Sequence, residues 1–117
     1  MWNVDPGLMC RRHLLGEHVE MHMFAGCLLR GKSIKGFLDK GLVEVEHVTR
    51  RHDELAVEMQ RRGFRHISPL VEDYPSFAAG CVDSDANLRE LERRCPDCAL
   101  RISAARTNQS SGGRKST

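Results

Sequence analysis

Residues 13–27, HLLGEHVEMHMFAGC, constrain the fold more than any other stretch of the chain. His13, Glu17 and Glu20 follow one another at i, i+4 and i+7, so a helix would place an imidazole and two carboxylates on one face. Two glutamates three residues apart repel each other slightly, so packing alone does not explain them. Apolar residues recur close to every 3.6 residues and predict the buried stripe of the same helix: Leu14, Leu15, Val19, Met23, Phe24, Cys27 and Leu28.

The rest of the chain predicts two more helices. One covers about residues 42–62, and the other starts near Asp83 or Ser84 and ends before Pro96. Residues 31–41 hold three glycines and predict a loop, while residues 64–82 are interrupted by two prolines and predict irregular structure. No strand alternation is present. We therefore predict an all-α fold, a compact single domain of three main helices over residues 1–106, followed by a flexible basic tail at residues 107–117.

The second predicted helix separates an apolar stripe from a charged face. The residues expected inside are Val45, Val48, His52, Leu55, Ala56 and Met59. The residues expected outside are Arg50, Arg51, Glu54, Glu58, Arg61 and Arg62. The third helix is expected to bury Leu88, Leu91 and Cys95.

Composition limits the class of protein. The 117 residues are 40% hydrophobic and 29% charged, which is typical of one soluble globular domain. No apolar run approaches the roughly 20 residues of a membrane span, and the first ten residues lack the layout of a signal peptide. Five cysteines, an odd number, fit a reducing cytoplasm better than a disulfide framework. We expect a cytoplasmic monomer without membrane contact, associated with the nucleoid if the source is bacterial.

Positive charge is concentrated in two segments, although the net charge is only +2. In residues 30–40 four basic side chains accompany a single acid, Asp39, and from residue 101 onward no acid occurs. Such segments suit contact with phosphates, but solvated surface explains them equally well.

Three ordered segments of the chain resemble a known family. HLLGEHVE, FLDKGLVEVEHVTRRHDELAVEMQRRGF and ANLRELERRCPDC resemble the pyrimidine-dimer DNA glycosylases of the phage endonuclease V type over roughly residues 1–101. In that family a histidine-led helix carries the catalytic glutamate seven residues later, as His13 and Glu20 stand here. The later features match the helix end at residues 61–64 and Arg94 before Cys95-Pro96.

The resemblance implies a mechanism without a cofactor. The family's nucleophile is the N-terminal α-amine, which attacks C1′ of a damaged nucleotide in double-stranded DNA and forms an imine before β-elimination. An α-amine has an ordinary pKa of about 7.7–8.0, so part of it is neutral at pH 7. Here the amine belongs to Met1, because the bulky Trp2 should block removal of the initiator methionine. Glu20 is the acid–base candidate.

Further roles follow from the same resemblance. His13 and Glu17 would line the substrate site. Val19 and Met23 stand where the family carries DNA-gripping arginines, so other residues must replace them. The candidates are Arg11, Arg12, His18 and His22. The candidates for contact with the DNA backbone are Lys32, Lys35, Arg61, Arg62, Arg94 and Arg101.

Two other classes of function stay open from the sequence. A helical domain could keep the fold and bind nucleic acid or protein without catalysis. Alternatively, His18 and His22 have a chelating i, i+4 spacing, and Cys95 and Cys98 form half of a zinc site that Cys81 could help complete. Neither arrangement is a full metal signature, so we expect no metal and interpret the cysteines as structural thiols.

Overall fold

The computed structural model describes residues 1–65 and 67–116, with side chains up to residue 108. Its helices are α1 (Arg11–Leu29), α2 (Lys35–Asp39), α3 (Val48–Arg61), α4 (Ser84–Arg94) and α5 (Pro96–Ser116), with 3-10 turns at Pro6–Leu8 and Val45–His47. No strand occurs in the described residues, which confirms the all-α prediction. None of these helices is long and apolar enough to cross a membrane.

Five helices form where three were predicted, and each addition has a local cause. Pro96 ends α4, but it also occupies the first position of α5, where its missing N–H costs nothing. In the glycine-rich loop, α2 forms because Phe37 packs edge-on against Phe24 of α1, with ring centroids 5.1 Å apart. Helix α5 reaches Ser116 and includes most of the predicted tail, whose flexibility stays a prediction.

Helix α1 packs against α3, and its buried face differs from the predicted stripe. Val19 was expected inside but is 66% exposed, whereas Met21 is fully buried with Leu14 and Phe24. The buried face also includes Glu17 and His18, which lie between those apolar positions on the helix. The buried face predicted from hydrophobicity is wrong because a hydrophobic pattern does not identify a charged residue that is buried with a partner.

The partner of Glu17 is Arg51 of α3, another residue that was predicted to be exposed. Its side chain is 1% exposed, and its Nε and terminal nitrogen donate to the two carboxylate oxygens of Glu17 at 2.6 and 2.9 Å. The fork of a guanidinium matches the two oxygens of a carboxylate, so both charges are compensated at the centre of the α1–α3 interface.

The irregular segment before α4 is held by specific contacts. The Tyr74 hydroxyl lies 2.7 Å from the Thr49 hydroxyl at the start of α3. The Val45 amide donates to the carbonyl of Ala79 at 3.0 Å, and the carboxylate of Glu44 accepts from the Val82 amide at 2.8 Å. These contacts lead the chain back across the core and set the position at which α4 begins.

The buried ion pair yields a stability prediction. Arg51→Met should lower the free energy of unfolding by about 3–5 kcal/mol, because Glu17 would be left as an unpaired buried charge. Urea unfolding followed by circular dichroism measures the change. The double variant Glu17→Leu/Arg51→Met should recover most of the loss. Arg50→Met, on the exposed neighbour, should stay within about 0.5 kcal/mol of the parent. A double variant no more stable than Arg51→Met would contradict this account.

Candidate active site

The α-amine of Met1 is held in place by two hydrogen bonds. It donates to the carboxylate of Glu20 on α1 and, at 2.8 Å, to the carbonyl oxygen of Leu42. Leu42 lies three residues after the end of α2, and Gly41 turns the chain there with a φ of 67° that favours glycine. The side chain of Met1 is buried in the core, while that of Glu20 is 33% exposed. The amine is therefore fixed, and its carboxylate partner still reaches solvent.

Helix α4 holds the first residues from the other side. The Asn87 side-chain amide donates to the Trp2 carbonyl at 2.9 Å, and that of Asn3 donates to the Ser84 hydroxyl at 3.2 Å. Asn3 has a φ of 56°, a left-handed conformation that asparagine tolerates better than most residues. This reversal turns the chain start inward toward α1. Asn87 and Ser84 were not identified from the sequence, because nothing near them signals that the N-terminus would lie there.

A cavity of about 240 Å³ opens over this pair. Its lining comes from the chain start, α1, the loop after α2, and α4: Met1, Trp2, Glu20, Leu42, Asn87, Glu90 and Arg94. The Arg94 guanidinium lies over the Trp2 ring, 5.4 Å from its centroid, and also contacts Glu90 at 3.2 Å. An amine, a carboxylate, an aromatic ring and a cation therefore face one small space.

This arrangement combines a nucleophile with a base. An amine attacks carbon only when it is neutral, and the adjacent carboxylate can accept its proton. The same negative charge would stabilise positive charge that develops on a bound substrate. The Arg94 cation at the rim, 58% exposed, is suited to an anionic group of the ligand.

The structure brings together some of the predicted site residues and separates others. The Met1 amine contacts Glu20, but Glu17 turns into the core toward Arg51. His13 packs its ring edge-on against Trp2 at 5.7 Å, while its Nδ1 faces sulfur atoms. Sequence spacing placed three side chains on one helical face, but only neighbouring helices decided which of them reaches the cavity.

The two arginines at the end of α3 that were expected to contact the DNA backbone differ in exposure. Arg62 is 15% exposed and donates to the carbonyls of Met9 and Pro6 at 2.6 and 3.1 Å. Burial would raise the pKa of Glu58, but hydrogen bonds from Arg62 and Arg61 lower it below its ordinary value. Arg62 is thus an anchor for the segment before α1. Arg61 is 69% exposed, although it also pairs with Glu58.

The remaining candidates lie elsewhere on the surface. Arg101 donates to the Gly7 carbonyl at 3.0 Å, and Lys35 pairs with Asp39 at 2.6 Å. Arg11 lies over the Phe64 ring, 4.8 Å from its centroid, at the end of α3. The other two, Arg12 and Lys32, are exposed at the start of α1 and just after its end.

His18 and His22 meet a third histidine, His52 of α3, rather than the cavity. The three ring centroids lie 4.6 to 4.9 Å apart. His22 and His52 contact the Ser68 carbonyl at 3.1 and 2.9 Å, and His52 also contacts Asp53. His18 is buried, and its Nε2 has no hydrogen-bond partner among the described residues. This cluster joins α1, α3 and the segment before α4.

The histidine cluster predicts a pH dependence of stability. Burial, and then the imidazoles of His52 and His22, lower the pKa of His18 from 6.5 to about 4. Between those pH values His18 is protonated in the unfolded chain but neutral in the folded protein. The free energy of unfolding should therefore fall as the pH drops from 6.5 toward 4. Thermal unfolding across this range measures the effect. His18→Gln should flatten the profile, whereas His47→Gln on the surface should leave it steep. Equal profiles for both variants would refute the assignment.

The fold and the cavity define a small helical protein in which an amine and a carboxylate share one site. The family model described as pyrimidine dimer DNA glycosylase matches residues 1–71, more than half of the chain. The chain therefore belongs to the pyrimidine dimer DNA glycosylase family, a family of DNA repair enzymes. No curated protein and no solved structure matched the chain. The matched region contains Met1 and Glu20, whereas Asn87 and Arg94 lie beyond it.

Proposed function

We propose that this protein is a DNA repair glycosylase with abasic-site lyase activity, acting on damaged double-stranded DNA as a monomer. The observation that carries the proposal is the contact between the Met1 amine and the Glu20 carboxylate inside an open cavity. Family membership supports DNA as the substrate class, and the cavity contains the two groups to which we assign the reaction. We place this activity in the cytoplasm, associated with the nucleoid if the source is bacterial.

The reaction begins with proton transfer from the Met1 ammonium to Glu20. The neutral nitrogen attacks C1′ as the bond from C1′ to the base breaks, and the protonated Glu20 gives its proton to the departing base, which restores the carboxylate. Ring opening of the sugar gives an imine between Met1 and C1′. Glu20 then removes a proton from C2′, the bond from C3′ to its phosphate oxygen breaks, and the strand is cut. Water hydrolyses the imine and releases the enzyme.

The cavity wall suits an extruded nucleotide. A damaged base that is weakly paired costs less to take out of the stack, which supplies part of the selectivity. The flat ring of Trp2 offers a stacking surface, and base–aromatic stacking contributes about 1–3 kcal/mol per base. Arg94 lies over one face of that ring with its side chain 58% exposed, where it can contact a flanking phosphate.

Borohydride trapping tests the nucleophile. Borohydride reduces an imine to a stable amine, so mixing the protein with abasic duplex DNA should give a covalent complex whose adduct maps to residue 1. Glu20→Gln should lower strand cleavage by about 10²–10⁴-fold, because it removes the proton acceptor. The matched control is Glu46→Gln, since Glu46 lies outside the cavity lining. The control should cut DNA at the parent rate.

Two further experiments distinguish an enzyme from a binding domain without catalytic activity. Mass spectrometry of the purified protein should find Met1 retained, and adding one residue before it should abolish trapping. An adduct on a lysine would refute the assignment of the amine. If no complex forms and Glu20→Gln binds DNA like the parent, the chain is a helical nucleic-acid-binding domain without this chemistry.

The DNA surface gives a separate prediction. Affinity for duplex DNA should fall linearly on a log–log plot against salt, and Arg94→Gln should reduce the slope by about 1. Arg62→Gln should leave the slope unchanged and instead destabilise the fold by about 1.5–3 kcal/mol, because it loses charge-assisted bonds to two backbone carbonyls. A fluorescence anisotropy titration at several salt concentrations measures the slopes. A parent affinity that ignores salt would rule out phosphate contact.

A further inference from the structure

Four side chains outside the cavity lining bring soft donor atoms together. Cys10, His13, Cys95 and Cys98 each direct one donor atom to a common point, and all four atoms lie within 4.8 Å of one another. The three cysteines are buried, and His13 is half-buried. They come from two ends of the chain, since 85 residues separate Cys10 from Cys95.

The distances fit a tetrahedral metal site. Cys10 Sγ lies 3.9 Å from Cys95 Sγ, and His13 Nδ1 lies 3.2 and 3.6 Å from the sulfurs of Cys10 and Cys98. Zinc bonds of about 2.3 Å to sulfur and 2.0–2.1 Å to nitrogen at tetrahedral angles separate two sulfurs by about 3.8 Å and sulfur from nitrogen by about 3.6 Å. A disulfide would require the sulfurs to approach to about 2.05 Å.

The spacing along the chain points the same way. Cys10 and His13 form a C-x2-H pair at the start of α1, and Cys95 and Cys98 form a C-x2-C pair around the start of α5. Each pair is a half-site of the kind that structural zinc proteins use. The sequence alone paired the second half-site with Cys81, but Cys81 is exposed and outside the cluster.

Backbone groups already support sulfur ligands here. The Cys10 amide donates to Cys98 Sγ at 3.3 Å, and the Cys98 amide donates to Cys95 Sγ at 3.5 Å. The Arg12 guanidinium lies 3.9 Å from Cys95 Sγ. Three thiolates and one Zn²⁺ carry a net charge of −1, which this cation would offset. Hydrogen bonds of this kind orient ligands and stabilise thiolates.

We propose that Cys10, His13, Cys95 and Cys98 bind one structural Zn²⁺ ion, in place of the metal-free thiols predicted from the sequence. Four protein ligands leave no open coordination position, so the ion would stabilise the fold and activate no water. It would join the start of α1 to the junction of α4 and α5. Nothing in this assignment depends on the proposed glycosylase activity.

The site would also determine where α4 lies. Asn87 and Arg94, the α4 residues at the cavity, precede Cys95 in the same helix and its cap. His13 contacts Trp2 with its ring while its Nδ1 faces the metal position. A bound ion would thus fix the position of α4, which forms part of the cavity wall, and through His13 the position of Trp2. This consequence, unlike the metal itself, rests on the proposed function.

Metal analysis of the untagged full-length protein tests the proposal. Inductively coupled plasma mass spectrometry should find one zinc per chain, and replacement by Co²⁺ should give visible sulfur-to-cobalt charge-transfer bands typical of tetrahedral thiolate sites. Cys98→Ser should lose the ion, and Cys81→Ser, the matched exposed cysteine, should keep it. A second measurement does not require Cys98→Ser to fold: a thiol-specific mercurial added to the parent should release zinc as its thiols react.

Several results would overturn the assignment. The parent could contain no zinc and bind none when titrated, or its melting temperature could be unchanged by a strong chelator. Mass spectrometry could also find a disulfide between two of the three cysteines. Zinc that stays bound in Cys98→Ser but leaves on substitution of His18 or His22 would place the metal elsewhere. Borohydride trapping at Met1 is a separate measurement, so the zinc proposal and the proposed function can each fail without the other.

Discussion

The buried pair between Glu17 and Arg51 is the interaction on which the other parts of the structure depend. It joins α1 to α3 at the centre of the core and fixes which face of α1 turns inward. One oxygen of Glu17 also accepts the Asn3 amide at 3.4 Å, so the same carboxylate guides the chain start. A charge buried this deeply tolerates only one arrangement of its neighbours, because any shift leaves it unpaired.

Glu17 and Glu20 show how environment separates two identical side chains. They stand three residues apart on one helix, yet the first is closed in by α3 and the second opens to a cavity. The first accepts two hydrogen bonds from the Arg51 guanidinium and one from the Asn3 amide. The second faces an amine that can give up its proton, which is why the proposed chemistry belongs to Glu20 alone.

Helix α4 completes the site from outside the region that matches the family. The family match ends at residue 71, but Asn87 and Arg94 form part of the cavity wall. The proposed zinc ion gives a physical reason why a short helix can hold this position. A few ligand bonds replace the hydrophobic area that a small domain lacks.

The sequence alone was sufficient to predict the helical class, the long irregular segment, and Met1 and Glu20 as candidate reacting groups. Periodicity and proline positions are local signals, and the pairing of Met1 with Glu20 came through the family resemblance. Periodicity could not predict that Arg51 lies inside, that Val19 lies outside, or that Cys10 meets Cys95. Those outcomes depend on which groups meet across the fold, because a charge or a thiol is buried only where a distant partner compensates it. Only the tertiary structure supplies that partner.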